Sequence, residues 1–443
     1  MEIVKMIIVL IIFMLFFLLL NKLEKSEKFN SELIRKILHI GSGFGGLILP
    51  FLFKRKISVI VLGIIFLILL IGIRIIKNKI MGLKQVIETK NRKTLGDIYF
   101  IISILGLWIV SGDNKVTYAL PLVILMFSDA FAALIGEFYS KFKFDTGFGT
   151  KSVEGSVVFF LTTYFVCINF FLIFSDLKNI NIVLLSLLLS ILTMILEVIS
   201  WNGLDNLFVP FFVYLFLKLN MNLGTKELMY KFWVIVVLFI IIILNRKKTT
   251  LTRIAQTGSL FFLYLVMIIG GIKWLIPPLI IYLGYYHFTP KVEGQVKDSL
   301  KGLLAIAFST FVWLVLATIL DKEKLYQVYI FSFSLHFGLI NLIRDNAGNV
   351  NRETFRMRFL AGSTGKELLF FGFNYLFLSE IRDYKMLTGV VILLIGGIFL
   401  YETSMKIYYI IEKEKELSGE SKVFIASGTV FLCSLLLTGI GML

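Results

Sequence analysis

Several ionisable residues stand where apolar helices ordinarily carry none. Arg35, Lys36 and His39 open one apolar run, with His39 one helical turn beyond Arg35 on the same face. Asp129 follows eight apolar residues, Leu120–Phe127, within the small-residue stretch Ser128–Ala133. Gly147-Phe148-Gly149-Thr150-Lys151-Ser152-Val153-Glu154-Gly155 opens the next run. Glu197 ends the run after that, and Asn202, Asp205 and Asn206 follow it. Singly, most have a plain structural explanation. Arg35 and Lys36 suit interfacial anchors, His39 a structural histidine, and Lys151 with Glu154 a capped helix start holding an internal ion pair. Asp129 is harder to dismiss, because a carboxylate in apolar surroundings needs a cation, a hydrogen-bond donor or a proton. Taken together, the set has the parts of a phosphate–metal site. Glycines such as Gly147 and Gly149 let backbone N–H groups approach phosphate, and a helix starting at Ser152 adds positive dipole. Lys and Arg offset phosphate charge, while Asp oxygens suit Mg²⁺.

The elements that must position these residues are membrane helices. Of the 443 residues, 58% are hydrophobic, and mean hydropathy is +0.89. Soluble domains run about 45–50% apolar. The excess falls in long runs, among them Ile7–Leu20, Val59–Ile73, Ile182–Ile195 and Val234–Leu244. A spanning helix needs roughly 20 mostly apolar residues. About 16 spans are expected: 5–22, 38–53, 57–75, 97–111, 116–137, 156–175, 181–200, 207–219, 231–245, 257–271, 274–287, 301–320, 326–343, 367–379, 387–409 and 423–442. The fold class expected is therefore all-α, a polytopic membrane protein. The first run is read as a retained helix rather than a cleaved signal, because Asn21-Lys22-Leu23-Glu24-Lys25 follows with no small-residue cleavage site.

Net charge is +16, which invites a nucleic-acid reading. Loop lysines and arginines that set orientation and touch anionic lipid explain it better, so no nucleic-acid partner is expected. Loops 23–36, 74–96, 138–155, 201–206 and 246–256 carry 18 Lys and Arg. The alternate loops 54–56, 112–115, 176–180 and 220–230 carry 6, half of them in the dissenting cluster Lys54-Arg55-Lys56. The first set is expected in the cytosol, which puts every residue named above at the cytosolic end of its helix and the N-terminus outside. Cys167 and Cys433 both lie in apolar runs and give neither a disulfide framework nor a metal cluster.

Five motifs in order give the chain a likeness to a family. They are Arg35-Lys36-Ile37-Leu38-His39, Leu95-Gly96-Asp97-Ile98-Tyr99-Phe100, Asp129-x-x-Ala132-x-x-x-Gly136, Lys151-Ser152-Val153-Glu154-Gly155, and Glu197 with Gly203-Leu204-Asp205-Asn206-x-x-x-Pro210. Over about residues 30–215 the chain resembles the dolichol kinase/phytol kinase group. These membrane enzymes phosphorylate long-chain isoprenoid alcohols from a nucleotide, typically CTP, and are related to the phosphatidate cytidylyltransferases. The resemblance implies that Asp129 binds Mg²⁺ with the nucleotide phosphates. Lys151, with Gly147, Gly149, Ser152, Glu154, Gly155 and Asn206, would form the nucleotide site. Arg35, Lys36 and His39 would complete the anion site or position the alcohol, and Asp205 would be a second metal ligand or the base for the hydroxyl proton. The alcohol would arrive from the bilayer and the nucleotide from the cytosol, in the cell (inner) membrane.

The implied organisation is an N-terminal helix (1–24), a kinase-like domain (25–220), a connecting helix and basic loop (221–249) and a second membrane domain (250–443). Matched intervals suggest an old duplication giving two parallel repeats: Arg35 to Asp129 against Arg253 to Asp345, and Asp129 to Lys151 against Asp345 to Lys366. The second copy lacks the chemistry, with Thr257 where a histidine would stand. Gly362-Ser363-Thr364-Gly365-Lys366-Glu367 lacks the first Gly and last Ser/Thr of a phosphate-binding P-loop. Asp345, Asn346, Asn349, Asn351, Arg352, Arg356 and Arg358 would bind lipid headgroups or form a solvated loop, and His287 and His336 are expected to be structural. Two other functions stay open: CDP-lipid synthesis, against which stands a C-terminal Lys297-Asp298-Ser299 with no His-Gly-Gly after it, and transport of a lipid phosphate.

Overall fold

The computed structural model describes residues 2–26, 29–75, 94–112, 114–288, 298–345, 354–378, 384–411 and 418–442. Among these residues the protein is all-α apart from one hairpin, with fifteen helices. Eleven are long and apolar enough to cross a membrane, which makes it a polytopic membrane protein. The sixteen expected segments become fifteen because 257–271 and 274–287 join in one element, kinked at Gly271 (φ 77°). The chain divides into two compact units, Met1–Phe232 and Trp233–Leu443, parted within the helix Thr225–Asn245.

The first unit contains α1 (Glu2–Lys25), α2 (Ser31–Leu52), α3 (Lys56–Ile75), α4 (Gly96–Val110), α5 (Lys115–Phe138), the strands β1 (Lys143–Asp145) and β2 (Thr150–Ser152), α6 (Val153–Phe174), α7 (Asn179–Ile199) and α8 (Asp205–Asn220). α9 (Thr225–Asn245) begins in it. α1 exposes Ile7, Ile8, Ile11, Ile12 and Leu15, an apolar face that water would not tolerate and hydrocarbon does. α7 is the reverse: Leu184, Leu185, Leu188, Leu189, Leu192 and Ile195 are all buried, the signature of a helix enclosed by others. α5 packs on α2, α6 and α8. The α5–α6 contact is close because Gly155 faces Ala132 and Gly136: a Cβ there would lie 2.9 Å from the Ala132 carbonyl oxygen. Small residues at such crossings let two backbones approach.

The second unit comprises α10 (Arg253–Phe288), α11 (Leu300–Leu320), α12 (Leu325–Asp345), α13 (Thr354–Leu378), α14 (Tyr384–Ile411) and α15 (Gly419–Met442), after the rest of α9. α12 is its core, with Tyr329, Phe331, Leu335 and Leu339 fully buried. The residues matched by interval do not stand at equivalent points of their helices. Lys151 precedes α6 in the middle of β2, whereas Lys366 lies well inside α13. Thr364–Glu367 are helical, so no P-loop turn forms there. The side chains of His287, Asp345, Arg356 and Arg358, and Lys297, Asn346, Asn349, Asn351 and Arg352 altogether, lie outside the described residues.

Candidate functional site

A polar cavity of about 1030 Å³ opens in the first unit. Its walls come from the end of α1, the start of α2, the last turns of α5, the β1–β2 hairpin, the end of α7 and the α7–α8 turn. Arg35, Lys36, Asp129, Gly149, Lys151, Ser152, Gly155, Glu197, Asp205 and Asn206 all line it. Most of the residues singled out along the chain are thus brought together.

Two ion pairs organise the cavity, with Lys36 buried and the other three side chains half-buried. Lys36 Nζ donates to Asp129 Oδ2 at 2.6 Å. Lys151 Nζ donates to Glu197 Oε1 at 2.7 Å and also to the Glu197 carbonyl oxygen. Arg35, farther out, pairs within its own helix with Glu32, Nε to Oε2 being 3.0 Å. Lys151 therefore finds its carboxylate on α7, not in Glu154 beside it. The reason is local. Ser152 caps α6 by accepting from Gly155 N–H, and Glu154 turns outward to accept from the backbone N–H groups of Lys141 and Phe142 at 2.8 and 3.1 Å. Glu154 is a clamp for the hairpin and is not on the cavity wall.

The glycines also differ from expectation. Gly147, at φ 78°, makes the hairpin turn and donates its N–H to Asp145 Oδ1, while the Phe148 N–H goes to Thr146 Oγ1. Those two amides are therefore spent on the hairpin itself, while Gly149 lines the cavity. Gly147 stays off the cavity, and Gly155 serves the helix crossing. His39 also lies elsewhere. Its Nε2 is 3.3 Å from the Leu125 carbonyl oxygen and 3.6 Å from Asp129 Oδ2, and its ring packs on Phe100 at 4.6 Å.

His39 faces a second cavity, of about 140 Å³, lined by Phe13 and Phe17 of α1, Leu49 of α2, Leu62 and Phe66 of α3, and Phe100 and Ile104 of α4. Arg35, Thr94 and Asn206 line both spaces. The polar cavity therefore adjoins an apolar one across a short polar rim. The rim is held by backbone fit. Gly203 (φ 82°) lies so close to Gly96 that a Cβ on it would be 2.6 Å from the Gly96 Cα, and Asn206 Nδ2 donates to the Gly96 carbonyl oxygen at 2.9 Å.

Some lining residues were not foreseen as site residues. Glu24, Glu32 and Trp201 line the polar cavity, Asp97 the apolar one and Thr94 both. Trp201 stacks on Phe148 at 4.5 Å with their planes 11° apart. Asp97 had a signal, since it stands inside the Leu95–Phe100 motif; Trp201 had only its place in a loop without Lys or Arg.

Six carboxylates face four basic side chains in the polar cavity. Such an excess of anionic oxygen suits a divalent cation brought in with a phosphate-bearing ligand. Asn206 Oδ1, buried without a hydrogen-bond partner, adds a neutral oxygen. No cluster of three or more His, Cys, Asp or Glu spaced to hold a metal by itself occurs among the described residues. No family model, no curated protein and no solved structure matches the chain.

Proposed function

We propose that this protein is a membrane phosphotransferase, moving the terminal phosphate of a nucleotide to the hydroxyl of a long-chain isoprenoid alcohol. The motif resemblance favours CTP as the donor. The observation that carries the reading is the junction of a charged cavity with an apolar one across Arg35, Thr94 and Asn206. A reaction joining an ionic partner to an amphiphile needs such a pair of adjoining spaces.

Phosphoryl transfer asks a protein mainly for positioning and charge neutralisation. Lys36 and Lys151 supply fixed positive charge, each steadied by a carboxylate. Asp129, Asp205 and the Asn206 Oδ1 would hold Mg²⁺, which when bound neutralises charge on the phosphate oxygens. The Phe148–Trp201 stack offers an aromatic face for a nucleobase at the wall. The loop-charge bias supports a cytosolic face for the polar cavity, and with it the cell (inner) membrane.

The test is direct. Purified protein with Mg²⁺, CTP labelled at its terminal phosphate and a panel of isoprenoid alcohols should yield labelled lipid phosphate and release CDP. Absence of lipid phosphate with every alcohol would sink the kinase reading. Pyrophosphate with a CDP-lipid would replace it by nucleotidyl transfer, and nucleotide-free uptake of lipid phosphate into vesicles by transport.

A further inference from the structure

Two acceptor oxygens at the rim are buried without a hydrogen-bond partner among the described residues: Asp97 Oδ2 and Asn206 Oδ1. Each is held through the other polar atom of its side chain. Arg74 Nη2 donates to Asp97 Oδ1 and, at 2.7 Å, to the Thr94 carbonyl oxygen, so the carboxylate is gripped from one side. The Gly96 carbonyl can only accept, which turns the Asn206 amide nitrogen toward it and leaves Oδ1 outward. Unpaired buried acceptors are costly and in native proteins call for an explanation. Asn206 Oδ1 is taken above as a Mg²⁺ ligand, whereas Asp97 Oδ2 has no such role and lacks a donor.

The two belong to residues that line different spaces. Asn206 borders both cavities, while Asp97 lines the apolar one and not the polar one. A donor reaching Asp97 Oδ2 must come with apolar surroundings, and a hydroxyl at the end of a hydrocarbon chain is such a donor. Asp205, the carboxylate raised earlier as a base, lines the polar cavity and not the apolar one.

We propose that Asp97 Oδ2 is the hydroxyl-binding acceptor and proton-taking base for the lipid alcohol, an inference that rests on the phosphoryl-transfer reading for its catalytic half. The alcohol oxygen forms a bond to the terminal phosphorus as the bond from that phosphorus to the bridging oxygen breaks. The nucleoside diphosphate leaves with the bridging electrons, and the hydroxyl proton passes to Asp97 Oδ2. Arg74 is a positioning residue that keeps the carboxylate aimed.

The experiment compares full-length wild type, Asp97→Asn and Asp97→Glu in detergent. Asp97→Asn should cut kcat by roughly 10²–10⁴-fold, the usual weight of a general base. It should also remove the low-pH limb of the wild-type rate profile, a change that a merely structural residue would not produce. The thermal shift on adding Mg²⁺–CTP should remain, because Asp97 is off the polar cavity. Asp97→Glu keeps a carboxylate and should restore part of the rate and the limb. Full turnover in Asp97→Asn, or a retained limb, would overturn the assignment. So would equal rates for the Asn and Glu variants. A separate binding arm uses labelled geranylgeraniol against the same hydrocarbon without the hydroxyl. Wild type should prefer the alcohol, and Asp97→Asn should lose that preference. If wild type forms no lipid phosphate yet shows this preference, the transfer reading fails and the hydroxyl site stands. If it binds both equally, the hydroxyl site fails.

Discussion

The two compact units differ in what surrounds their buried polar groups. In the first, the charged residues come in pairs around a cavity: Lys36 with Asp129, Lys151 with Glu197. In the second, Glu367 is fully buried on α13 with neither carboxyl oxygen hydrogen-bonded. It packs directly against Gly338 of α12, a position where any Cβ would collide with the carboxyl group. Asn341 and Asn374 likewise use their amide nitrogens on backbone carbonyls of their own helices and leave their oxygens unpaired. His336 meets Ser309 at 2.6 Å in the core, as suits a structural histidine. Paired charge beside open space is equipment for binding an ionic ligand; polar groups closed into a helical core are not. Similar residue types thus carry different meaning in the two units, and what separates them is access.

Substitutions can break or sharpen that contrast. Among the residues of that contrast, the largest effect is expected at Asp129. Asp129→Asn should lower lipid-phosphate formation by at least about 10²-fold, the scale on which single electrostatic partners of a reacting group act. It also leaves Lys36 buried without its partner, a loss of about 3–5 kcal/mol that would appear as a fall in melting temperature. The double change Lys36→Met with Asp129→Leu should regain stability without regaining turnover. A double variant that turned over normally would remove Asp129 from the site.

In the second unit the sign reverses. Glu367→Met removes an unpartnered carboxyl and should leave turnover unchanged while raising stability by about 1–3 kcal/mol, the cost of an unmet buried polar group. Lost turnover with an intact fold would erase the difference between the two units. Gly155→Ala tests the α5–α6 crossing. Its Cβ would meet the Ala132 carbonyl, and overpacking of this kind costs about 1–3 kcal/mol, readable in thermal unfolding. The smallest effect belongs to Trp201→Ala. Losing the Phe148 stack removes about 0.5–1.5 kcal/mol, and the Kd for nucleotide, measured by titration, should weaken with little change in fold.

Much of the site was legible along the chain for one physical reason: charge in an apolar run is expensive, so its presence points to a use. Asp129 after eight apolar residues and Glu197 at the end of a leucine-rich helix could be singled out on that ground alone. Glu154 and Gly147 could not be judged the same way. Both stand in a polar loop, where charge and glycine cost little and many roles are compatible with the same letters. Their work, clamping and turning a short hairpin, depends on hydrogen bonds that spacing does not encode. Thr94 and Asp97 stand at the start of a helix, where an acidic residue is ordinary, so only the Leu95–Phe100 motif marks Asp97.

By itself the sequence determined the helices and the membrane setting, because a run of roughly 20 apolar residues has few stable alternatives and its length can be counted. It also determined which residues were out of place. The tertiary structure alone decided their partners, since Lys36 and Asp129 are 93 residues apart and Lys151 and Glu197 are 46 apart. It also decided that His39 and Asp97 border an apolar cavity while Asp129 borders a polar one. Pairing and access depend on how helices distant in sequence are packed, and that packing is a property of all the faces together rather than of any one run.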